Sequence, residues 1–175
     1  EATAAAQEAW VVHVNEVGHA TLYPRARYVV LTRHPAAIWS SYANSFFDGD
    51  YVAARTFNPI LNRYVPAMAR FLRDRPVPMV RVAYEDLVQR PEEEMRRVFA
   101  FLALPFEPGV IDYGKHEHES KGLGDPLGVQ QHTRPVTDSV EKWAHELAAD
   151  PAKRAIVRDM VGRIDDADLE TWGFP

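Results

Sequence analysis

The chain has 175 residues, 46% apolar and 26% charged, the composition of an ordinary globular domain with a hydrophobic core rather than of a disordered or fibrous chain. Its formal charge of −5 argues against a nucleic-acid-binding surface and leaves room only for a local basic pocket. Cysteine is absent, which removes disulfides, thiolate metal sites and cysteine nucleophiles together and fits a reducing compartment such as the cytoplasm. No apolar run approaches the ~20 residues of a membrane-spanning helix, and no basic start followed by an apolar stretch marks a signal peptide.

In chain order, Trp10-Val11-Val12-His13-Val14 has the β-branched content of a short strand. Tyr28-Val29-Val30-Leu31-Thr32 is a continuous apolar run, the pattern of a parallel strand covered on both faces. Pro35 stands where a helix can begin, since its missing N–H costs nothing in the first turn, and Asp48-Gly49-Asp50 stops that helix near Phe47. Asn58-Pro59 opens a second helix with Ile60, Leu61, Tyr64, Val65, Met68, Phe71 and Leu72 on its buried stripe, and Pro66 inside it predicts a kink. Pro78 to Val82 reads as a further strand. Pro91, followed by Glu92-Glu93-Glu94, places negative charge at the positive end of another helix. Pro105 to Thr137 loses periodicity and reads as a long loop, of the kind that is either functional or disordered. Asp138 and Glu141 resemble a capping pair for a helix carrying Val140, Trp143, Ala144 and Leu147, and Asp150-Pro151 starts a last helix with Ile156, Val157, Met160, Val161 and Ile164 inside.

Strands alternating with helices predict an α/β fold, a mainly parallel sheet flanked by helices, as a single domain over residues 1–175. Ligands of such sheets bind beyond the carboxyl ends of the strands, which points to Arg33, to Tyr84 and to the residues after Val14. Arg33 precedes a helix amino terminus, where unpaired N–H groups favour an anion, and its planar fork matches phosphate oxygens. Ser41, eight residues on, adds a hydroxyl about two turns along. The plain alternative is an Arg33 paired with a structural carboxylate and a solvated Ser41. Tyr84-Glu85-Asp86-Leu87 puts an aromatic ring at a strand end, either against a base or in the core. In Ser120 to Pro126, Gly122 and Gly124 beside Lys121 can form an anion nest or simply a surface loop.

These three segments, in this order, resemble the sulfotransferases that use 3′-phosphoadenosine-5′-phosphosulfate (PAPS). Leu31-Thr32-Arg33-His34-Pro35 with Ser41 is similar to the family's 3′-phosphate-binding strand and helix. Tyr84-Glu85-Asp86-Leu87 resembles its adenine-contacting turn, and Lys121-Gly122-Leu123-Gly124-Asp125 its late basic-glycine loop. Trp143 and Trp172-Gly173-Phe174 sit where related bacterial members carry similar residues. The resemblance implies a P-loop-like sulfotransferase fold. It also implies PAPS, or its product adenosine 3′,5′-bisphosphate (PAP), held by Arg33, Ser41, Tyr84, Lys121 and Gly122. The expected acceptor is a hydroxyl or amine of a small molecule, a carbohydrate or a carrier-bound intermediate. The family's base follows the strand before the arginine strand, which selects His13 first, then Glu16, then His19. Ala37 departs from the acidic residue many members carry.

No P-loop-like segment, a strand with a Gly/Ser-rich turn and a basic residue, stands before these motifs. The expectation is therefore a carboxyl-terminal portion whose amino-terminal P-loop portion is missing, able to bind part of the nucleotide. That leaves a non-catalytic nucleotide-binding or structural fragment as the main alternative. A histidine-phosphatase-like phosphohydrolase, suggested by Arg33-His34 after a strand, fits less well because Pro35 stands where those enzymes carry glycine. His116-Glu117-His118 has no second cluster at ligand spacing, so no metal site is expected. Phe46, Phe47 and Tyr51 line either the acceptor pocket or the core.

Overall fold

The computed structural model describes residues 25–56, 60–115, 132–138 and 140–174. Strand β1, Tyr28–Thr32, and strand β2, Met79–Ala83, pair in parallel, from Tyr28 opposite Met79 to Thr32 opposite Ala83. The connection between them runs through helix α1, Pro35–Phe46, helix α2, Tyr51–Thr56, a π-helical turn, Ile60–Tyr64, and helix α3, Val65–Asp74. Helix α4, Tyr84–Gln89, leaves β2 without a loop, and α5, Pro91–Leu102, follows. Two 3₁₀ turns, Pro108–Ile111 and Tyr113–Lys115, precede α6, Lys142–Ala149, α7, Pro151–Val161, and α8, Asp166–Trp172.

The proline signals place helix starts well: Pro35, Pro91 and Pro151 all stand in the first turn of their helices. Asp150 caps α7 by accepting from the N–H groups of Ala152 and Lys153 at 2.9 and 3.0 Å. The kink expected at Pro66 takes another form. Proline removes one N–H and crowds the preceding turn, and the backbone answers by widening to the π-helical turn before α3 begins. Asp138 and Glu141 do not form a capping pair. α6 begins at Lys142, Glu141 makes no side-chain cap bond, and a separate turn closed by Val140 N–H to the Thr137 carbonyl at 2.9 Å precedes it. Helix α8 was not expected. Asp165 caps it through the Ala167 N–H at 2.9 Å, after a run too short to display a period of its own.

The core gathers Val30, Trp39, Leu61, Phe71, Leu147, Met160 and Trp172. α6 and α7 pack on α1, and α8 packs on α3, so the helices after Thr137 lie on that core side. The apolar run of β1 predicts burial on both faces, but among the described residues only one face is covered. Val29 and Leu31 remain 45% and 54% exposed while Val30 and Thr32 are buried. Period-two alternation sends those pairs to opposite sides, and α5 packs beside β2. Among the described residues no helix is long and apolar enough to cross a membrane.

Candidate nucleotide site at the end of the parallel strands

Because Thr32 pairs with Ala83, the residues that follow them, Arg33 and Tyr84, emerge side by side at the carboxyl end of the sheet. The Arg33 guanidinium lies over the Tyr84 ring, 4.3 Å from its centroid, a cation–π arrangement that orients the fork. Glu85, next on α4, accepts the backbone N–H of His34 through Oε1 at 2.9 Å. Its other oxygen, Oε2, is buried with no hydrogen-bond partner among the described residues.

His34 ends the turn. Its Nδ1 accepts the Ala36 N–H at 3.1 Å, which makes it the amino-terminal cap of α1 and requires that nitrogen to be unprotonated. The ring stacks on Trp143, centroids 4.2 Å apart and planes 19° apart, and makes a T-shaped contact with Phe174, centroids 5.1 Å apart. Burial pushes the imidazole below its ordinary range, against the smaller opposing pull of Glu85. The Trp172 indole N–H donates to the Arg33 carbonyl at 2.8 Å.

These contacts revise one expectation. An anion was to use free N–H groups at the start of α1. Pro35 has none, that of His34 is taken by Glu85, and that of Ala36 by His34 itself. Among the described residues only the N–H of Ala37 is left outside these contacts at this turn, so an anion here relies largely on side chains. Ser41 lies exposed on α1. Its neighbour Ser40 is buried and donates to Glu146 Oε2 at 2.7 Å. His13, Glu16, Lys121 and Gly122 lie outside the described residues, as do His19 and the His116-Glu117-His118 triplet. The flanks of the 116–131 stretch that carries Lys121 and Gly122 are tied together. Gly114 N–H bonds the Thr133 carbonyl at 3.2 Å, and Asp112 pairs with Arg134 at 2.9 Å. A Cβ at Gly114 would strike the backbone of His132 and Thr133, so this approach needs glycine.

A second polar cluster lies farther along α1. Glu146 of α6 accepts from Lys153 Nζ at 2.7 Å, from Ser40 Oγ at 2.7 Å and from Asn44 Nδ2 at 3.0 Å. Burial alone would raise this carboxyl, but the donors outweigh it and hold it at about 2. The Tyr51 hydroxyl is buried beside this cluster without hydrogen-bond alignment to it, and burial pushes it up to about 12. Of the three aromatic residues offered to an acceptor, Tyr51 belongs to the core at 3% exposure and Phe47 packs against it, whereas Phe46 is 75% exposed. Among the described residues no group of three or more histidines and carboxylates has the arrangement of a metal site.

Glu146 did not stand out in the sequence, His34 did so only in the phosphatase alternative, and Glu85 and Trp172 were named only within motifs of the resemblance, with no role of their own. Their roles depend on partners far along the chain, 51 residues for Glu85 and His34 and 139 for Trp172 and Arg33. The only local signal was the position of His34 directly before a first-turn proline.

With this geometry in place, comparison with known proteins is informative. A model of the sulfotransferase family matches residues 11–108, more than half of the chain. The chain belongs to the sulfotransferase family. The match takes in Arg33, Ser41 and Tyr84, and the family read from their motifs is borne out. A protein-tyrosine sulfotransferase of Drosophila melanogaster is 33% identical over 85 residues, 45% of this chain and 16% of that protein. Among solved structures, the sulfotransferase domain from the curacin biosynthetic pathway superposes with a TM-score of 0.54 at 19% identity, covering 78% of this chain and 53% of that one. The chain thus shares that domain's fold while spanning about half of its length and a sixth of the fly relative's.

Proposed function

We propose that the chain forms the nucleotide-binding part of a sulfotransferase that takes PAPS as donor and releases PAP. The sulfuryl group passes to a hydroxyl or amine of a small-molecule, carbohydrate or carrier-bound acceptor. The observation that carries the reading is the Arg33 guanidinium over the Tyr84 ring at the end of two parallel strands. A planar cation and an aromatic face held together suit a nucleotide, which joins a phosphate to a base. The N–H groups of His34 and Ala36 are already engaged. The 3′-phosphate is therefore assigned to the Arg33 fork and the exposed Ser41 hydroxyl, with Tyr84 on the adenine and the Lys121-Gly122 turn closing from the long loop. Ser41 stands about 9 Å along α1 from Pro35, so an anion shared with Arg33 lies over the outer side of the first two turns.

In the reaction the acceptor oxygen or nitrogen attacks sulfur in line, the bond from sulfur to the 5′-phosphate oxygen breaks, and a base takes the acceptor proton. His13 is assigned that base, with Glu16 next. The names of the two relatives point to different acceptors, a protein tyrosine and a biosynthetic pathway, so the acceptor is assigned only to its chemical class. A single domain acting in the cytoplasm fits the cysteine-free composition. The family match sets the phosphatase alternative aside. The non-catalytic alternative, a nucleotide-binding or structural fragment, differs in lacking turnover and, in its structural form, in lacking the nucleotide site as well.

The test is calorimetric titration with PAP, with adenosine 5′-monophosphate as the ligand lacking a 3′-phosphate. PAP binds better, and Arg33→Ala removes most of that preference. A charged, hydrogen-bonded phosphate contact is worth on the order of 1.5–3 kcal/mol, roughly a 10- to 150-fold change. A folded chain with no preference for the 3′-phosphate would sink the reading.

A further inference from the structure

The Arg33 carbonyl and the His34 N–H belong to one planar peptide group, and both of its polar ends are held by side chains from distant parts of the chain. Trp172, at the end of α8, donates its indole N–H to the carbonyl at 2.8 Å, and Glu85, on α4, accepts the N–H at 2.9 Å. Trp172 is itself fixed. It is 4% exposed, and its own carbonyl accepts from Arg81 Nη1 of β2 at 2.6 Å. Gly173 follows at φ +100°, a left-handed conformation that suits glycine, and a Cβ there would strike the Arg81 guanidinium. That turn also lets Phe174 come back to a T-shaped contact with the His34 ring, on which Trp143 stacks.

The orientation of this peptide sets ψ of Arg33 and φ of His34. With the Tyr84 ring beneath the guanidinium, it fixes where the Arg33 fork points before any anion arrives. A helix start needs no such apparatus, because the imidazole of His34 already caps α1. Preorganised supporting contacts of this kind are what turn a flexible arginine into a selective one.

We infer that Trp172 and Glu85 form a peptide clamp that presets Arg33, so that selectivity for the 3′-phosphate depends on the carboxyl-terminal Trp172-Gly173-Phe174 segment. Trp172 is a positioning residue in this scheme and touches no ligand. The inference rests on the nucleotide reading above.

The test compares PAP with adenosine 5′-monophosphate on the full chain and on Trp172→Phe, which keeps an aromatic ring and removes the N–H. The affinity ratio of the two nucleotides should fall about five- to tenfold, the worth of one buried hydrogen bond, with the monophosphate affinity nearly unchanged. A merely structural role would lower the melting temperature and leave the ratio measured on folded protein where it was. Glu85→Ala and Glu85→Gln supply a second arm should Trp172→Phe fail to fold. The alanine removes the acceptor and should lower the ratio, and the glutamine retains an acceptor oxygen and should restore most of it. A wild-type preference left unchanged in folded Trp172→Phe, or in folded Glu85→Ala, overturns the clamp alone. A wild-type chain without any preference overturns the nucleotide reading, and the clamp with it.

Discussion

Helix α1 carries two polar clusters, one at its start and one around its second and third turns, and they are built on opposite plans. In the second, Glu146 is surrounded by donors, from Lys153, Ser40 and Asn44, and its charge is fully answered within the fold. At the start, a guanidinium rests on an aromatic face, and one oxygen of Glu85 is buried without a hydrogen bond among the described residues. Satisfied buried networks lock elements together, and incompletely answered ones are the places to look for a ligand. The adjacent serines make the contrast in one step of sequence. Ser40 is buried and spent on Glu146, whereas Ser41 is exposed.

The largest effect that would break this division is on stability. Glu146→Ala removes an acceptor that three groups share and leaves the Lys153 ammonium half-buried, so it should cost about 2–3 kcal/mol. Urea denaturation reads it. In protein that remains folded, the preference for PAP over adenosine 5′-monophosphate should stay within about twofold, as for independent sites. A joint loss would mean that α6, which also carries Trp143, joins the two clusters into one unit.

The same carboxyl gives a smaller, pH-dependent effect. Its folded pKa, about 2, lies below the ordinary 4.5, so its contribution is fully present above 4.5 and is lost as pH falls from there toward 2. Screening at a partly exposed site limits it to about 1–2 kcal/mol. Glu146→Gln does not titrate, so the gap in denaturation midpoint between wild type and this variant should close across that window. A gap that stays constant would place the stabilisation in shape and hydrogen bonding rather than in charge.

How much of this was legible beforehand follows the range of the interactions. Both described strands, and the helix starts at Pro35, Pro91 and Pro151, were readable because each is set by a few neighbouring residues. That Arg33 and Tyr84 stand at strand ends was readable from the rule that ligands bind there, but the pairing of Thr32 with Ala83, which brings the two together, was not. The open face of β1 was not, since a run of apolar residues says nothing about which neighbours arrive to cover it. The π-helical turn was not either, because Pro66 announces a disturbance without choosing its form. Glu146, Glu85 and Trp172 look like ordinary helix residues until the fold brings their partners from 106, 51 and 139 positions away.

The smallest predicted effect is the sharpest test of the comparison, because it uses two neighbours of identical chemistry. Ser41→Ala deletes one exposed hydroxyl. Stability should change by no more than about 0.5 kcal/mol, since alanine is the better helix former and no core contact is lost. PAP binding should weaken by about 0.5–1.5 kcal/mol, and adenosine 5′-monophosphate binding should not. Ser40→Ala should do the reverse, lowering stability by about 1 kcal/mol through the lost bond to Glu146 while leaving the nucleotide preference intact. If Ser40→Ala instead lowers the preference, the anion approaches α1 from the Glu146 side. The network that holds α6 and α7 to α1 would then be part of the site.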